Sequence, residues 1–389
     1  MVKTRAISLI LCAASLAGCG LLTRSERASP QQLVIARGRL GRTVSLLRTT
    51  EMLVAVYSDQ ETAGLYWVEI PVSDTLPGEA PSPEMIDRIA LIPPLPQSFG
   101  AHSAFARGNG VSVLYQARGA EEKPVLKLAS WQPGAQAWTL DVIEPAGDPV
   151  AILPGDKDHL DLFWGAASLL WQSYPGNAKP SVLQSPFTPA ERASVFDRHD
   201  EPVTGTTLEG SSSDTRGLTV YDSASSALLA VRWNGSAYDA ASIVGAGPIH
   251  SSLLLPDGRL AVLSWESTTR RLQLLKQKPG EAFASRSLVT LSQDTNTVAL
   301  LEPPGQESVS SRDASRLFFL YDETRVLGGG KEAHELSLLS PGWGGRYQRT
   351  VLASDDQPIA DFSALEVGDT LYVLVHQDVV KLLKVKLPR

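Results

Sequence analysis

The chain has 389 residues, with 35 basic against 42 acidic side chains and a formal net charge of −7. Charges of both signs are scattered, so the concentrated lysine and arginine that phosphate binding needs is missing. That excludes nucleic acid as a partner, and a polybasic membrane patch with it. The two cysteines are Cys12 and Cys19. Beyond them no thiol remains for a disulfide, a redox pair or a thiolate metal site, so the body must rest on a sizeable core or on repeated packing.

The first residues carry Lys3 and Arg5, followed by an uncharged run from Ala6 to Ala17. A basic start, a short apolar middle and small residues at the end read as a secretory leader, too short to span a bilayer. Its close, Leu16-Ala17-Gly18-Cys19, resembles the lipobox of bacterial lipoproteins at every position. The resemblance implies that residues 1–18 are a removed signal peptide and that Cys19 is acylated as the new first residue. Gly20 follows, not the Asp that favours inner-membrane retention in enteric bacteria. The implied location is therefore the outer membrane, where the host has one, on its periplasmic or surface face. Residues 19–30 read as a lipidated cysteine and polar tether, and 31–389 as a single domain.

The body shows almost no helical periodicity. Short β-type runs alternate with Gly, Pro, Asp and Ser, which is an all-β signal. Seven apolar runs recur at intervals of roughly fifty residues. They are Leu53–Tyr57, Val111–Tyr115, Leu160–Trp164, Leu218–Tyr221, Leu260–Trp265, Leu317–Tyr321 and Leu371–Val375. A second apolar run follows each, from Leu65–Ile70 in the first copy to Val380–Val385 in the last. Four of these lead to a tight turn and an aromatic: Pro133-Gly134 before Trp138, Asn234-Gly235 before Tyr238, Pro279-Gly280 before Phe283, and Pro341-Gly342 before Tyr347. One more strand precedes six of the seven runs: Thr43–Leu47, Ser103–Ala106, Val150–Leu153, Ser252–Leu255, Val298–Leu301 and Phe362–Leu365.

Four antiparallel strands per repeat predict a β-propeller, with seven blades as the leading count. Each blade is a small sheet with two apolar faces that only its neighbours can bury, so the ring must close. The last repeat ends at Arg389 one strand short. An orphan strand, Gln32–Ala36, is expected to fill that place and seal the ring. The polar, Pro-rich stretch from Asn177 to Gly210 reads as a degenerate outer strand and a long loop, which leaves six or eight blades open.

Candidate chemistry is sparse. His102 and His250 fall at matching places ahead of inner strands, and Asp361 occupies the corresponding place in the last repeat. Imidazole and carboxylate are suitable ligands, so the three form a candidate polar site at the mouth of the central channel. Asp156, Asp158 and Asp161 begin like a Ca²⁺ loop but lack its Gly and closing Glu, and read as a solvated turn. Gly328-Gly329-Gly330-Lys331 lacks the Ser or Thr and the helix of a phosphate loop. Ser212–Thr219 resembles the Asp-box of sialidase-like propellers, with one residue too many and in a single copy. No G-x-S-x-G elbow occurs. Trp67, Trp131, Trp164, Trp171, Trp233 and Trp265 are read first as packing between blades and second as a rim for glycan or peptide.

No catalytic residues, metal or cofactor are assigned. The expected role is a non-enzymatic binding or scaffolding propeller anchored through lipid on Cys19, with a protein or glycan partner. In anchor and architecture it resembles the propeller lipoprotein of the outer-membrane β-barrel assembly machinery. The alternatives are a hydrolase-type enzyme using the central channel and a glycan-binding surface protein.

Overall fold

A computed structural model describes residues 26–27, 30–89, 101–119, 123–156, 158–176, 179–199, 214–255, 259–277, 282–291, 293, 295–301, 317–342 and 347–387. Cys19, the leader and most of the tether lie outside them, as do Ser212, Ser213 and the Pro279-Gly280 turn. No helix among the described residues is long and apolar enough to cross a membrane.

The strands form seven sheets. Each blade runs in chain order from an inner strand, through second and third strands, to an outer one. Blade 1 holds Leu40–Arg48, Met52–Asp59, Gly64–Pro71 and Glu84–Arg88, and blade 2 holds His102–Arg107, Gly110–Arg118, Pro124–Trp131 and Thr139–Ile143. Blade 3 holds Asp148–Pro154, Leu160–Gly165, Leu169–Tyr174 and Ser181–Gln184, and blade 4 holds Pro189–His199, Asp214–Asp222, Ala227–Trp233 and Tyr238–Ile243. Blade 5 holds His250–Leu254, Leu260–Glu266, Arg271–Gln277 and Ala284–Thr290, and blade 6 holds Val298–Leu301, Phe318–Val326, Glu332–Pro341 and Tyr347–Asp355. Blade 7 takes Asp361–Val367, Thr370–His376 and Val379–Lys386 from the C-terminal end and Gln31–Arg37 from the N-terminal end. The chain is a seven-bladed β-propeller closed as its sequence predicts, with Gln31–Arg37 antiparallel to Val379–Lys386.

Seven apolar clusters hold the ring, one at each junction between blades. The second strand of blade 1 shows why the sequence reads as unbroken apolar runs. Leu53, Ala55 and Tyr57 pack toward blade 7, while Val54 and Val56 pack toward blade 2. Alternate side chains of a strand point to opposite faces, and here both faces are covered. Leu33 and Ile35 of the closing strand enter the blade 7–blade 1 cluster, so closure buries apolar side chains as well as pairing backbones.

Close approach fixes two glycines. A Cβ on Gly147 would lie 2.3 Å from the Gly165 carbonyl oxygen, and one on Gly247 would lie 2.4 Å from that of Trp265. Both precede an inner strand, where the chain crosses over the end of the second strand. Two of the expected turns use positive φ, +81° at Gly134 and +99° at Gly235. Asn234 closes its own turn, its Oδ1 accepting from Ser236 and Ala237 N–H.

One strand escapes the sequence reading. The stretch assigned to a degenerate outer strand and a loop also contains the inner strand of blade 4, Pro189–His199. Its pairing with the second strand slips between Ala190 and Ser194, so the strand lacks a clean apolar alternation. Within the stretch read as a tether, Glu26–Arg27 lies parallel along the outer strand of blade 6, opposite Thr350 and Val351.

Candidate site in the central channel

All seven inner strands run in one direction around the axis. Their first residues therefore ring one mouth, here named the front face, and their last residues ring the back face. The channel encloses about 510 Å³, and its lining includes all three residues singled out in the sequence, His102, His250 and Asp361. Each opens the inner strand of its blade, in blades 2, 5 and 7. They share the mouth without converging. Among the described residues no group of three His, Cys, Asp or Glu side chains is placed to hold a metal ion.

Their local contacts show what holds them apart. His250 sits between blades 4 and 5, with Nδ1 2.8 Å from the Pro248 carbonyl and Nε2 3.1 Å from the Thr219 carbonyl. A neutral imidazole has one N–H and satisfies one of these two carbonyls at a time. Burial pushes its pKa down, opposed by the two carbonyl acceptors. Asp361 accepts from the Val44 N–H of blade 1 at 3.0 Å and lies 3.5 Å from the Thr297 hydroxyl of blade 6. It thus ties three blades together.

A serine belt that the sequence reading missed runs beside these residues. The Ser103 hydroxyl accepts from Ile152 N–H at 3.1 Å, Ser194 from Ser252 N–H at 2.8 Å, Ser251 from Leu300 N–H at 3.0 Å and Ser363 from Leu46 N–H at 3.0 Å. Each bond joins one blade's inner strand to that of the next. The adjacent pairs His102-Ser103 and His250-Ser251 were the available signal, since both put a serine directly after the matching histidine. Asp148 also lines the channel. Its Oδ1 accepts from Gln116 Nε2 at 2.8 Å, and burial pushes its pKa up. Asp148 and Asp361 are the carboxylates of the described lining, which contains no lysine or arginine.

The aspartates that resembled a Ca²⁺ loop have a different partner. Asp156 and Asp161 both reach Arg216, at 2.9 Å from Nη1 and 3.2 Å from Nε. The reading as a solvated turn fails for Asp161, which is 2% exposed, as is Arg216. Tyr238 donates to Asp161 at 2.7 Å and accepts from Arg216 Nε at 3.0 Å. Burial pushes the Tyr238 phenol up, with the Asp161 charge adding to the shift, so it stays protonated and donates. The guanidinium also lies 4.6 Å above the Trp233 ring. Here one internal cation, between blades 3 and 4, meets the buried carboxylate of Asp161 and the exposed one of Asp156.

The tryptophans follow the packing reading. Trp67 lies 5.0 Å from both Trp131 and Trp138 across the junction of blades 1 and 2. Trp171, Trp233 and Tyr238 repeat the arrangement between blades 3 and 4. Trp164 and Trp265 are buried.

No family model matches the sequence, and no curated protein matches it. Solved structures do resemble the fold. YCF48 bound to D1 peptide superposes with a TM-score of 0.51 at 13% identity, over 94% of this chain and 98% of that one. YCF48 from Cyanidioschyzon merolae gives 0.50 at 12% identity, over 92% and 99%. A Trypanosoma rangeli sialidase in complex with sialic acid gives 0.45 at 10% identity, over 94% of this chain and 60% of that one. At such identities the likeness is one of fold.

Proposed function

We propose that this chain is an exported, lipid-anchored propeller that binds a polypeptide partner at the front face of its channel and performs no chemistry there. The carrying observation is that two of the three candidate residues of the mouth, His250 and Asp361, are engaged in joining blades. His250 contacts two backbone carbonyls, and Asp361 bonds to the inner strand of blade 1. A general acid or base needs a lone pair or proton directed at substrate, and these two point into the scaffold. A rigid ring that presents loops at its front face suits a binding module. YCF48, of similar fold, has been captured with a peptide.

The lipid anchor rests on Leu16-Ala17-Gly18-Cys19, and the outer membrane on Gly20 after it. The test is photo-crosslinking in the native host from positions 43, 149 and 296 at the channel mouth, beside the same protein probed on the back face. Crosslinks to one defined protein from the front positions alone are expected. Equal crosslinking from both faces, or turnover of a glycoside or lactone panel that is lost in His102→Ala, would overturn the reading.

A further inference from the structure

We infer that the junction between blades 4 and 5 opens at the back face onto an anion site built on Arg232, and that its ligand is a small carboxylate. The site lies at the far end of the ring from the channel mouth and does not depend on the reading proposed there.

Strand alternation decides which way Arg232 points. It is next to last in Ala227–Trp233, the third strand of blade 4, and third strands end at the back face. Leu229 and Val231 of that strand pack toward blade 3, while Leu228 and Ala230 pack toward blade 5. Arg232 continues the second set. Its Nη2 donates at 2.9 Å to Oε1 of Gln277, the last residue of the third strand of blade 5. Beneath it the junction is apolar, with Leu228, Leu260 and Val262 fully buried.

Other junctions treat their cations differently. Lys127 of blade 2 meets Asp87 of blade 1 at 2.8 Å, Arg216 of blade 4 meets Asp161 of blade 3 at 3.2 Å, and Lys381 of blade 7 meets Asp355 of blade 6 at 3.0 Å. In each case the neighbouring blade supplies a carboxylate. Blade 5 supplies Arg232 with a neutral amide. The cross-strand neighbour Asp239 is turned aside, its Oδ2 accepting from Asn234 Nδ2 at 2.7 Å. No carboxylate of the described residues forms an ion pair with Arg232, and burial alone pushes its pKa below the ordinary value.

A charge drawn out of water without a counter-charge destabilises a fold, and groups perturbed in that way concentrate at binding sites. A guanidinium carries five N–H donors in a planar fork, and the Gln277 bond occupies one of them. At least one two-donor edge is left, the geometry that receives a carboxylate through two parallel bonds. A single positive charge balances one carboxylate and leaves a phosphate dianion under-neutralised. The apolar floor strengthens the pairing. Arg232 keeps partial exposure at the back, so a small ligand enters from solvent without moving a blade.

The test unfolds the full chain, Arg232→Met and Arg232→Lys in urea at neutral pH, in chloride, acetate or phosphate of equal ionic strength. In chloride the methionine variant should have a higher midpoint than wild type, because an apolar side chain of similar length removes the uncompensated charge. Acetate should raise the wild-type midpoint more than that of Arg232→Met, with the lysine variant, which lacks the fork, in between. The Arg232 Nε–H resonance, assigned by its loss in both variants, should move in acetate and stay in place in chloride. A lower midpoint for Arg232→Met in chloride would mark the guanidinium as a structural brace. An equal acetate gain in Arg232→Met would place the anion elsewhere. Either result, or a wild type indifferent to acetate, overturns the site. A larger Arg232-dependent gain in phosphate than in acetate overturns the choice of carboxylate.

Discussion

The Asp361 carboxylate receives the Val44 N–H at 3.0 Å although 317 residues separate them in the chain. This bond joins the last blade's inner strand to the first blade's, on the channel side of the junction that the N-terminal strand seals at the rim. Ser363 and Leu46 repeat the contact two residues further along.

Removing the Asp361 carboxylate strands a buried N–H. Asp361→Ala is expected to cost about 1–3 kcal/mol, the penalty for an unsatisfied buried donor. Asp361→Asn keeps an acceptor oxygen and should cost less. Urea unfolding midpoints with an unchanged slope would check this, and equal losses in the two variants would refute the role of the bond.

Closure at the rim depends on apolar burial. Leu33 is 3% exposed in the cluster shared by blades 7 and 1. Leu33→Ala should destabilise the whole ring by about 2–5 kcal/mol, the range for truncating a core leucine. One cooperative transition is expected, because neither neighbouring blade can bury that face alone. A variant within 0.5 kcal/mol of wild type (roughly the scatter of neutral surface changes) would show the strand to be dispensable.

Asp322 gives the chain a pH dependence. Burial raises its pKa from 3.8 to about 6, against the pull of the Thr297 and Asn296 N–H groups and the Thr295 hydroxyl. A raised carboxyl binds its proton more tightly in the folded state. Its stabilising contribution is full below 3.8 and is lost as pH rises through about 6. Wild type should therefore lose on the order of 2–3 kcal/mol at this site between pH 4 and pH 7.5. Asp322→Asn, neutral throughout, should lack that component. Parallel stability curves for the two proteins would contradict the assignment.

The cluster around Arg216 should respond asymmetrically. Arg216→Ala leaves Asp161 buried without its guanidinium and is expected to cost about 3–5 kcal/mol. Replacing both partners with apolar residues, Arg216→Met with Asp161→Leu, should recover most of that loss. Chemical denaturation of the single and double variants measures the difference, and equal losses would mean that packing around Trp233 dominates.

Arg349 braces the hairpin between the second and third strands of blade 6. Glu323 and Glu335 are direct cross-strand neighbours, and Arg349 Nη2 lies 2.9 Å and 2.7 Å from their carboxylates. Arg349→Met leaves Glu323 and Glu335 facing each other with Arg325, 3.6 Å from Glu335, as the remaining cation, and like charges directly opposite destabilise a strand pair. Hydrogen exchange should quicken selectively at residues 324–326 and 332–334. Uniform quickening around the ring would instead mark a general loss of stability.

The ring was legible in the sequence because each middle strand is covered on both sides. Leu53–Tyr57 and Leu371–Val375 are unbroken apolar runs for that reason, and their spacing gives the blade. Pro189–His199 was not legible: its register slip at Ala190–Ser194 breaks the pattern. At the mouth, the matching positions of His102, His250 and Asp361 placed all three on the channel lining. Their bonds could not be read, because His250 and Asp361 engage backbone groups of neighbouring blades, and backbone partners leave no trace in residue identity. Asp161 looked solvated because its partner Arg216 is distant in sequence and reaches it only through the fold.

A chain made from its N-terminus delivers Gln31–Arg37 first and Val379–Lys386 last. The earliest strand of the ring must therefore wait, unpaired, for the whole of the rest to be synthesised. Any truncated product is left with an open seam and bare apolar edges at both ends, so the fold itself distinguishes finished molecules from unfinished ones.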